Sequence, residues 1–556
     1  MEKMQPMLFT TLKNYKKEQF VKDVIAGIIV AIIALPLSIA LALASGVGPE
    51  QGIYTAIIAG FVISLLGGSH VQIAGPTAAF ATIVAGIVAE SGMDGLILAT
   101  ILAGVILVLM GICHFGSLIK FIPFTITTGF TSGIAVTIVI GQLKDFFGVT
   151  YPKGMPVIET TEKLKAFIKG FSTFNTDALI VGLICLVILI VIPRFTEKIP
   201  ASLIAVIAGI LMVKLLPLKV NTIGDLYTIN SSLPTLHIPQ INFEMIRIAL
   251  PNAFTIAILA AIESLLSCVV ADGMITEQHR SDMELVAQGA GNIASALFGG
   301  IPATGAIART AANVKNGGRT PVAGMVHAVT LLLVLMILMP YAGLIPMPTI
   351  AAILFMVAYN MCQWRTFLHL LKTAPKSDNA VLIATFLLTV LFDLVVAIEI
   401  GMLISCLLFM KRMSDETELK SWKRADEFST EKEAAEQNML RHIPASISVY
   451  EITGPLFFGA ADTIKQISVK DGTRCLIIRM RSVPSVDSTA MNALSGLCDY
   501  CKKHDITLIL SHVNKQPMRA MEKAGLLDQI GRKNFRRNIN ASIEYAEAIV
   551  NEASEK

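Results

Sequence analysis

Long apolar runs dominate the chain from about residue 23 to residue 410, whereas charged residues become dense from residue 411 onward. A helix that crosses the hydrocarbon core of a bilayer needs about 20 mostly apolar residues. Twelve runs approach or exceed this length, and each predicts a membrane-spanning helix. They are residues 24–44, 52–67, 95–112, 121–142, 177–195, 201–216, 248–271, 286–299, 320–340, 347–361, 379–393 and 394–411.

Two further apolar segments, about 75–89 and 303–314, are short and rich in Gly, Pro, Ala and Thr. Each is the third in a run of seven segments, the first run in 23–216 and the second in 248–411. Because seven is odd, the two runs have opposite orientations. Matching Gly/Pro-interrupted segments in two inverted halves are typical of transporters that bind their substrate at the bilayer midplane. The pattern predicts a mostly helical membrane protein with 14 segments arranged as a 7+7 inverted repeat.

The short segments also predict the kind of ligand. A helix of about 12 residues covers about 18 Å, so each would reach only halfway across the bilayer. Two such half-helices would meet with their N-termini facing each other, and the unpaired amides and positive dipole ends there favour an anion. The alternative is that both segments are merely kinked spans in a packed core.

Lysines near the first span indicate on which side of the membrane the N-terminus lies. Lys13, Lys16, Lys17 and Lys22 precede the first span, and basic residues near span ends favour the cytoplasmic side. Fourteen segments then return the charged tail to the cytoplasm. We expect a multi-pass protein of the inner (plasma) membrane. Its predicted parts are a cytoplasmic N-terminus (1–22), repeat 1 (23–216), repeat 2 (248–411), a helical linker (412–440) and a soluble domain (441–548).

Composition agrees with a membrane carrier. Hydrophobic residues make up 54% of the chain and charged residues 15%, against about 25% charged in ordinary soluble domains. The net charge of +4 is too small and dispersed to indicate nucleic-acid binding. The sequence contains no P-loop, no nucleophile–base set and no metal-ligand cluster, so we expect neither an enzyme nor a bound cofactor or metal. Cys498 and Cys501 have CxxC spacing but fall within a predicted helix, which favours ordinary helix thiols.

Two of the charged residues within apolar segments are candidates for function. Arg309 follows Ile307 and Ala308 in the second short segment, and a charge at that depth is a functional candidate by default. Its positive charge would stabilise an anion at the site. Alternatively, the side chain snorkels to the membrane surface or forms a structural ion pair with a carboxylate. Glu263 lies in the middle of 248–271. It is a candidate for proton coupling, for pairing with Arg309, or for a structural helix–helix contact.

The charged tail alternates between strand-like and helix-like runs. Residues 447–456, 474–480 and 506–511 predict strands, and 460–467, 489–503 and 515–524 predict helices. The result is a small α/β domain with a mixed sheet, interpreted as a regulatory or interaction module with a cytoplasmic protein as candidate partner. Ser488 follows Asp487 at a strand-to-helix junction. The residues there suit an N-cap, and the sharper hypothesis is a regulatory phosphorylation site at Ser488.

Four stretches together resemble the SulP family of sulfate permeases and related anion carriers over essentially the whole chain. One is Asp23–Gly27 with Ala34-Leu-Pro36 and Gly52-Ile-Tyr54. The second is Gly67-Gly68-Ser69 followed by Gly75-Pro-Thr-Ala-Ala-Phe80. The third is Ala308-Arg-Thr-Ala-Ala-Asn313 with Gly317-Gly-Arg-Thr320, and the tail resembles a STAS domain.

The resemblance implies the fold shared with uracil permease, in which a core domain (spans 1–4 and 8–11) moves against a gate domain (spans 5–7 and 12–14), commonly in a homodimer. It also implies that the anion binds between the first span and the two short segments. The implied substrate-binding residues are Pro36, Leu37, Ser38, Thr77, Ala78, Ala79, Phe80, Ala306, Ile307, Ala308, Arg309 and Thr310.

Departures from the family pattern bear on the substrate. Many plant and animal sulfate permeases have glutamine where this chain has Leu37. The family's sodium–bicarbonate carriers resemble this sequence but differ at three positions. They have aspartate in place of Glu263, threonine in place of Ile307 and glycine in place of Arg309. Glu263, Ile307 and Arg309 therefore argue against a sodium site and for proton coupling. Residues 67–80 and 115–148 look closest to bacterial C4-dicarboxylate carriers of the family.

These observations predict a secondary active transporter, with proton-coupled symport of sulfate or a C4-dicarboxylate as the leading hypothesis. An anion exchanger or a bicarbonate transporter of the same fold is the alternative. A third hypothesis, from a different class, is a membrane-anchored anion sensor that signals through the tail.

The predicted topology is tested by cysteine labelling with a membrane-impermeant reagent. Cysteines at positions 372 and 446 should react only from the cytoplasm, and one at position 230 only from outside. External labelling at position 446 would overturn the 14-segment arrangement.

Overall fold

The computed structural model describes two compact units, residues 1–402 and 403–556, and the division falls within one helix, Leu394–Asp415. The described residues are 4–117, 122–152, 154–155, 157, 159–195, 200–228, 232–239, 242–392, 394–421, 443–460, 463–464, 466–469 and 471–554.

The first unit is helical apart from two strands of two residues each. In chain order its elements are α1 (Met7–Thr11), α2 (Lys17–Ala44), α3 (Pro49–Leu66), β1 (Ala74–Gly75), α4 (Ala78–Ile112), α5 (Phe124–Phe146), α6 (Thr160–Gly170), α7 (Thr176–Phe195), α8 (Ala201–Leu215), α9 (Ile223–Leu226), α10 (Phe243–Ile275), α11 (Ser281–Leu297), β2 (Thr304–Gly305), α12 (Ile307–Lys315), α13 (Val322–Ala342), α14 (Met347–Cys362), α15 (Trp364–Thr373), α16 (Lys376–Leu391) and α17 (Leu394–Asp415).

A helix lies at every predicted segment. Within the described part of the chain, eight helical stretches are long and apolar enough to cross a membrane; the count of 14 spans stays a prediction. α4 contains both the first short segment and the segment 95–112, and its helix is interrupted in the gap between these two predicted segments. The helix breaks at Gly92, whose φ of 66° is left-handed, a conformation that glycine adopts without steric cost. The 14 residues before this break rise about 21 Å.

The helices of the first unit pack in two groups. In the core group, α4 packs on α10 and α11, α13 packs on α2 and α3, and α12 packs on α10 and α2. In the gate group, α5 packs on α14 and α16, and α7 packs on α8 and α14. Spans 1–4 and 8–11 fall in the first group and spans 5–7, 12 and 13 in the second, as the resemblance to the uracil-permease fold implied, whereas the place of span 14 (α17) in the gate domain stays a prediction. The loop 143–174, which was not assigned a helix from the sequence, contains α6.

A hydrogen-bonded junction around Asp23 joins two of the family-like motifs. Asp23 is fully buried, and its carboxylate accepts bonds from the Tyr15 hydroxyl at 2.8 Å and the Gln19 amide at 2.9 Å. It also accepts from the Arg319 backbone N–H at 2.8 Å and the Thr320 hydroxyl at 2.6 Å. The start of α2 is therefore fastened to the turn between α12 and α13.

The second unit contains a five-stranded sheet. Its elements are β3 (Glu418–Ser421), β4 (Ile447–Thr453), β5 (Cys475–Ser482), α18 (Ser488–Lys503), β6 (Thr507–Ser511), α19 (Lys515–Lys523), α20 (Leu526–Ile530), β7 (Phe535–Arg536) and α21 (Ile539–Ser554). The strands lie in the order β3-β4-β5-β6-β7, with β3 antiparallel to β4 and the other pairs parallel. The predicted α/β domain with a mixed sheet is confirmed.

The predicted helical linker 412–440 is helical at residues 412–415 but wrong at residues 418–421. α17 continues only to Asp415, and residues 418–421 form an edge strand because their backbone pairs with residues 450–453 of β4. Residues 422–440 lie outside the described part of the chain, as do several positions of the predicted helix 460–467.

The CxxC pair occupies the buried face of α18. Burial raises the pKa of Cys501 to about 11 and also raises the pKa of Cys498. Thiolates are the reactive species in redox and metal chemistry, so both side chains are held in the unreactive thiol form. This supports the interpretation as ordinary helix thiols.

Candidate functional site

A two-stranded ribbon holds the beginnings of α4 and α12 side by side. β1 pairs antiparallel with β2, with Ala74 opposite Gly305 and Gly75 opposite Thr304. Asn292 of α11 fixes the approach to β2, because its side-chain amide donates to the Ala303 carbonyl and accepts from the Ala303 N–H, both at 2.8 Å. α4 and α12 start within three residues of their strands, so their N-termini lie together in the core group.

Both helix N-termini lack a side-chain cap. The N-cap residues are Thr77 for α4 and Ala306 for α12, and neither side chain accepts a hydrogen bond from its own helix. The first amides of a helix have no partner within the helix itself, and the macrodipole adds positive potential at the same end. The two helices therefore present donors and positive potential in one place.

The hydroxyl of Thr77 bonds to a residue of α10 and does not cap its own helix. It donates a hydrogen bond of 2.8 Å to a carboxylate oxygen of Glu263. A hydroxyl that donates to Glu263 is turned away from the amides of its own helix. The bond also brings the intramembrane carboxylate within one residue of the α4 N-terminus.

Arg309 is the largest fully buried side chain in the described part of the chain, with 1% of its surface exposed. Its Nη2 donates to the Ser38 hydroxyl and to the Pro76 carbonyl, each at 3.2 Å. Among the described residues, its Nε and Nη1 have no hydrogen-bond partner. No ion pair joins Arg309 to Glu263 or to another described carboxylate. The structural ion pair considered from the sequence is therefore wrong for these two residues.

Gly75 provides the space for the guanidinium. A Cβ at this position would collide with Nη1 of Arg309. A larger residue at position 75 would therefore displace the guanidinium; backbone conformation is not the reason for glycine, since the φ of Gly75 is not in the left-handed region. Gly75 was noted in the sequence as part of a motif, but its role could not be predicted because it depends on the pairing of β1 with β2.

The predicted site residues fall into two sets. Pro36, Ser38, Arg309, Thr310 and the run 77–80 are buried, and the Thr310 hydroxyl accepts from the Ile73 N–H at 3.1 Å. Leu37 and Ala306 are half-buried, and Ile307 and Ala308 are exposed. The exposed residues form the surface of the α12 N-terminus, while Arg309 lies behind it.

Ser488, in the other unit, is exposed at the first turn of α18, where Asp487 accepts from the Ala490 N–H at 2.9 Å.

Sequence reasoning missed three buried polar residues around the site. Gln72 donates to the Ser264 carbonyl of α10 at 3.1 Å. Glu284 accepts from the N–H groups of Gly68 at 2.8 Å and Ser69 at 3.1 Å, which fixes the loop that leads to β1. His327 of α13 is fully buried, and neither ring nitrogen has a hydrogen-bond partner among the described residues. A polar residue within an apolar helical run was the available signal for Glu284 and His327.

Comparison with known proteins shows the family of the chain. A family model described as "Sulfate permease family" matches residues 20–385, and a STAS domain model matches residues 439–546. The protein YvdB of Bacillus subtilis (strain 168), provisionally named a sulfate transporter, is 39% identical over 535 residues, covering 94% of this chain and 97% of YvdB. The bicarbonate transporter BicA of Picosynechococcus sp. is 29% identical over 521 residues, covering 91% of each chain.

A solved structure shows the same fold at low identity. The murine Solute Carrier 26 family member A9 anion transporter superposes with a TM-score of 0.83 and 19% identity, covering 98% of this chain and 94% of that one. The fold and the site define a multi-pass membrane transporter for small anions. The chain belongs to the sulfate permease family and carries a C-terminal STAS domain. Its relatives are transporters and not enzymes.

Gly75→Ala tests the packing around Arg309. Overpacking of a tight site costs about 1–3 kcal/mol, and displacement of the guanidinium should weaken anion binding by about tenfold. Titration calorimetry with sulfate on the purified protein measures the effect. The matched control is Gly273→Ala in α10, where a Cβ meets nothing within 4 Å. Equal affinity in the two variants would contradict the role assigned to Gly75.

Proposed function

We propose that this protein is a proton-coupled anion symporter of the inner membrane, with sulfate as the first candidate substrate and a C4-dicarboxylate as the second. The observation that carries the proposal is the buried guanidinium of Arg309, which has no carboxylate partner among the described residues and lies beside two uncapped helix N-termini. A buried cation without a partner is costly, and a bound anion supplies the missing charge.

The anion binds between three segments of the core group. Pro36–Ser38 of α2 form one side, residues 77–80 of α4 the second, and residues 306–310 of α12 the third. Backbone amides at the two N-termini donate to the anion, and Ile307 and Ala308 form its apolar edge. Arg309 acts from behind the helix as a fixed positive charge, since its side chain is directed to Ser38 and Pro76.

Glu263 is the proposed proton site. Its hydrogen bond to Thr77, the N-cap of α4, places a carboxylate next to the anion's donors. An ionised carboxylate roughly 6 Å from a bound anion costs about 3 kcal/mol at an effective dielectric constant of 20. A proton on Glu263 removes this repulsion, so proton and anion bind with positive cooperativity. This is the thermodynamic requirement for symport.

The named relatives bear on the substrate. YvdB and two plant relatives from Arabidopsis thaliana carry sulfate-transporter names, which favours sulfate over a C4-dicarboxylate. The likeness to BicA supports bicarbonate as the alternative. Exchange of anions without a proton is a second alternative, and an anion sensor that signals through the STAS domain is a third.

The remaining architecture is proposed on the same basis. The chain crosses the membrane with 14 segments as a 7+7 inverted repeat, both termini lie in the cytoplasm, and the protein forms a homodimer. The STAS domain, predicted as 441–548, binds a cytoplasmic partner. Ser488 is a candidate phosphorylation site because it is exposed at a helix N-terminus, where a phosphate is stabilised by the dipole.

Uptake into proteoliposomes tests the function directly. Labelled sulfate, succinate, fumarate and bicarbonate should be supplied with and without an inward proton gradient. Sulfate should accumulate above equilibrium only when the outside is acidic. Uptake that requires internal anion would identify an exchanger, and the absence of any flux would identify a sensor.

Substitutions at Arg309 and Glu263 test the mechanism. Arg309→Ala should weaken sulfate binding by about 1.5–3 kcal/mol, the scale of a charge-assisted hydrogen bond, or about 10- to 150-fold. Glu263→Gln should preserve binding but abolish the dependence of uptake on external pH. Arg247→Ala and Glu244→Gln, exposed substitutions near the start of α10, are the matched controls and should leave both properties unchanged.

The double variant separates two roles. If Arg309 and Glu263 act separately on anion and proton, the protein with both substitutions should fold, as judged by thermal unfolding, but should not transport. Recovery of proton-coupled uptake in the double variant would contradict the proposed mechanism.

A further inference from the structure

A short helix, α15, differs from the long apolar helices around it. Its ten residues, Trp364–Thr373, cover about 15 Å, which is about half of the hydrocarbon core. Gln363 precedes it with a left-handed φ of 43°, and a residue in this conformation ends a helix, so α15 is separate from α14. No residue of α15 is fully buried. The helix therefore neither spans the membrane nor belongs to the packed interior.

One side of α15 packs against the gate group. Phe367, Leu370 and Leu371 are half-buried, at the spacing that places side chains on one face of a helix. The ring of Phe367 lies 5.4 Å from the ring of Phe386 in α16, measured between centroids, and α15 also contacts α5. The apolar side thus fixes which residues face outward.

The other side of α15 exposes two adjacent stripes of different chemistry. Trp364 and Leu368, one turn apart, are 43% and 45% exposed. Arg365, His369 and Lys372 are exposed at i, i+4 and i+7, which is again one face. Water disfavours an exposed Trp and Leu, and hydrocarbon disfavours Arg and Lys. A surface with both is typical of a helix that lies between the headgroups and the acyl chains of a bilayer.

The aromatic residues favour the same placement. The Arg365 guanidinium lies over the Trp364 ring, 5.4 Å from its centroid. The indole N–H of Trp364 donates to the hydroxyl of Tyr359, in the last turn of α14, at 3.4 Å. Trp and Tyr are enriched at the boundary between membrane and water, because each has an apolar ring and a polar group that needs a partner.

The basic stripe carries charge that its neighbours do not neutralise. From residue 359 to residue 377 the sequence contains no aspartate or glutamate, and Lys376 adds a third permanent positive charge shortly after α15. Among the described residues, Arg365, Lys372 and Lys376 form no ion pair with a carboxylate. Basic residues beside a bilayer attract anionic lipids, so an anionic headgroup supplies the missing charge.

We propose that α15 is an interfacial helix that binds anionic phospholipid, with Arg365 and Lys372 on the phosphate and Trp364 and Leu368 beside the acyl chains. Since α15 packs on α5 and α16, the bound lipid attaches the gate group to the membrane surface. In the predicted topology position 372 is cytoplasmic, and anionic lipids give the cytoplasmic surface its negative potential. Lipid binding at α15 is independent of which anion is transported and of the role of Glu263.

The fluorescence of Trp364 tests this lipid site in the full-length protein. The sequence has two tryptophans, so Trp422→Phe leaves Trp364 as the only indole. The protein is reconstituted in bilayers with equal mole fractions of phosphatidylglycerol and phosphatidylcholine. Bromine, which quenches indole at short range, is placed on the upper acyl chains of one lipid or of the other. Brominated phosphatidylglycerol should quench about twofold more strongly at low ionic strength, and the difference should decrease as salt screens the charges.

Arg365→Gln combined with Lys372→Gln should make the two brominated lipids quench equally. The matched control is Arg194→Gln with Lys315→Gln, which removes exposed basic residues at the ends of α7 and α12 and should leave the preference unchanged. If the double variant at 365 and 372 does not fold, Lys372→Glu alone should still reduce the preference.

Three results would overturn the lipid site. The first is equal quenching by the two lipids in the protein with Arg365 and Lys372 intact. The second is a preference for phosphatidylglycerol that survives the loss of both basic side chains. The third is no quenching by either lipid, which would place Trp364 away from the acyl chains.

Discussion

The core group is built around a buried cation, the guanidinium of Arg309, which has no carboxylate partner among the described residues. Arg309 is removed from water, and among the described residues its guanidinium donates hydrogen bonds only to the Ser38 hydroxyl and the Pro76 carbonyl. Desolvation of such a group costs several kcal/mol, and neutral acceptors offset only part of it. The surrounding features follow from this cost: a glycine at 75 leaves room for the guanidinium, and a paired ribbon keeps both uncapped helices beside it. Together, the guanidinium and the two helix N-termini favour an anion at this place.

The positive and negative groups of the core group are held apart. At the site, amides and a guanidinium offer donors. Glu263 offers a carboxylate acceptor, which is bonded to the Thr77 hydroxyl. Thr77 belongs to both systems, because its backbone begins α4 while its hydroxyl bonds to Glu263. One residue can therefore link the two charges without bringing Glu263 into contact with Arg309.

The sequence was sufficient for the features that depend on composition and length. Apolar runs located the helices, and the two short Gly/Pro-rich segments located the paired N-termini. Features that depend on contacts between distant residues could not be predicted. The collision of a Cβ at Gly75 with Arg309 requires the pairing of β1 and β2, and the strand at 418–421 requires the edge of β4.

The junction at Asp23 has a consequence for how new specificities arise in such a scaffold. Two hydrogen bonds from the turn after α12, donated by Arg319 and Thr320, fasten it to Asp23 near the start of α2, so the helix that bears Ser38 and the helix that bears Arg309 are tied together at one end. Substitutions in α5, α14 or α16 can then reshape access and size selection while leaving Ser38 and Arg309 in register. Mutational drift and laboratory evolution should accordingly find tolerated changes of substrate among the gate helices, whereas changes within the tied pair remove anion recognition altogether.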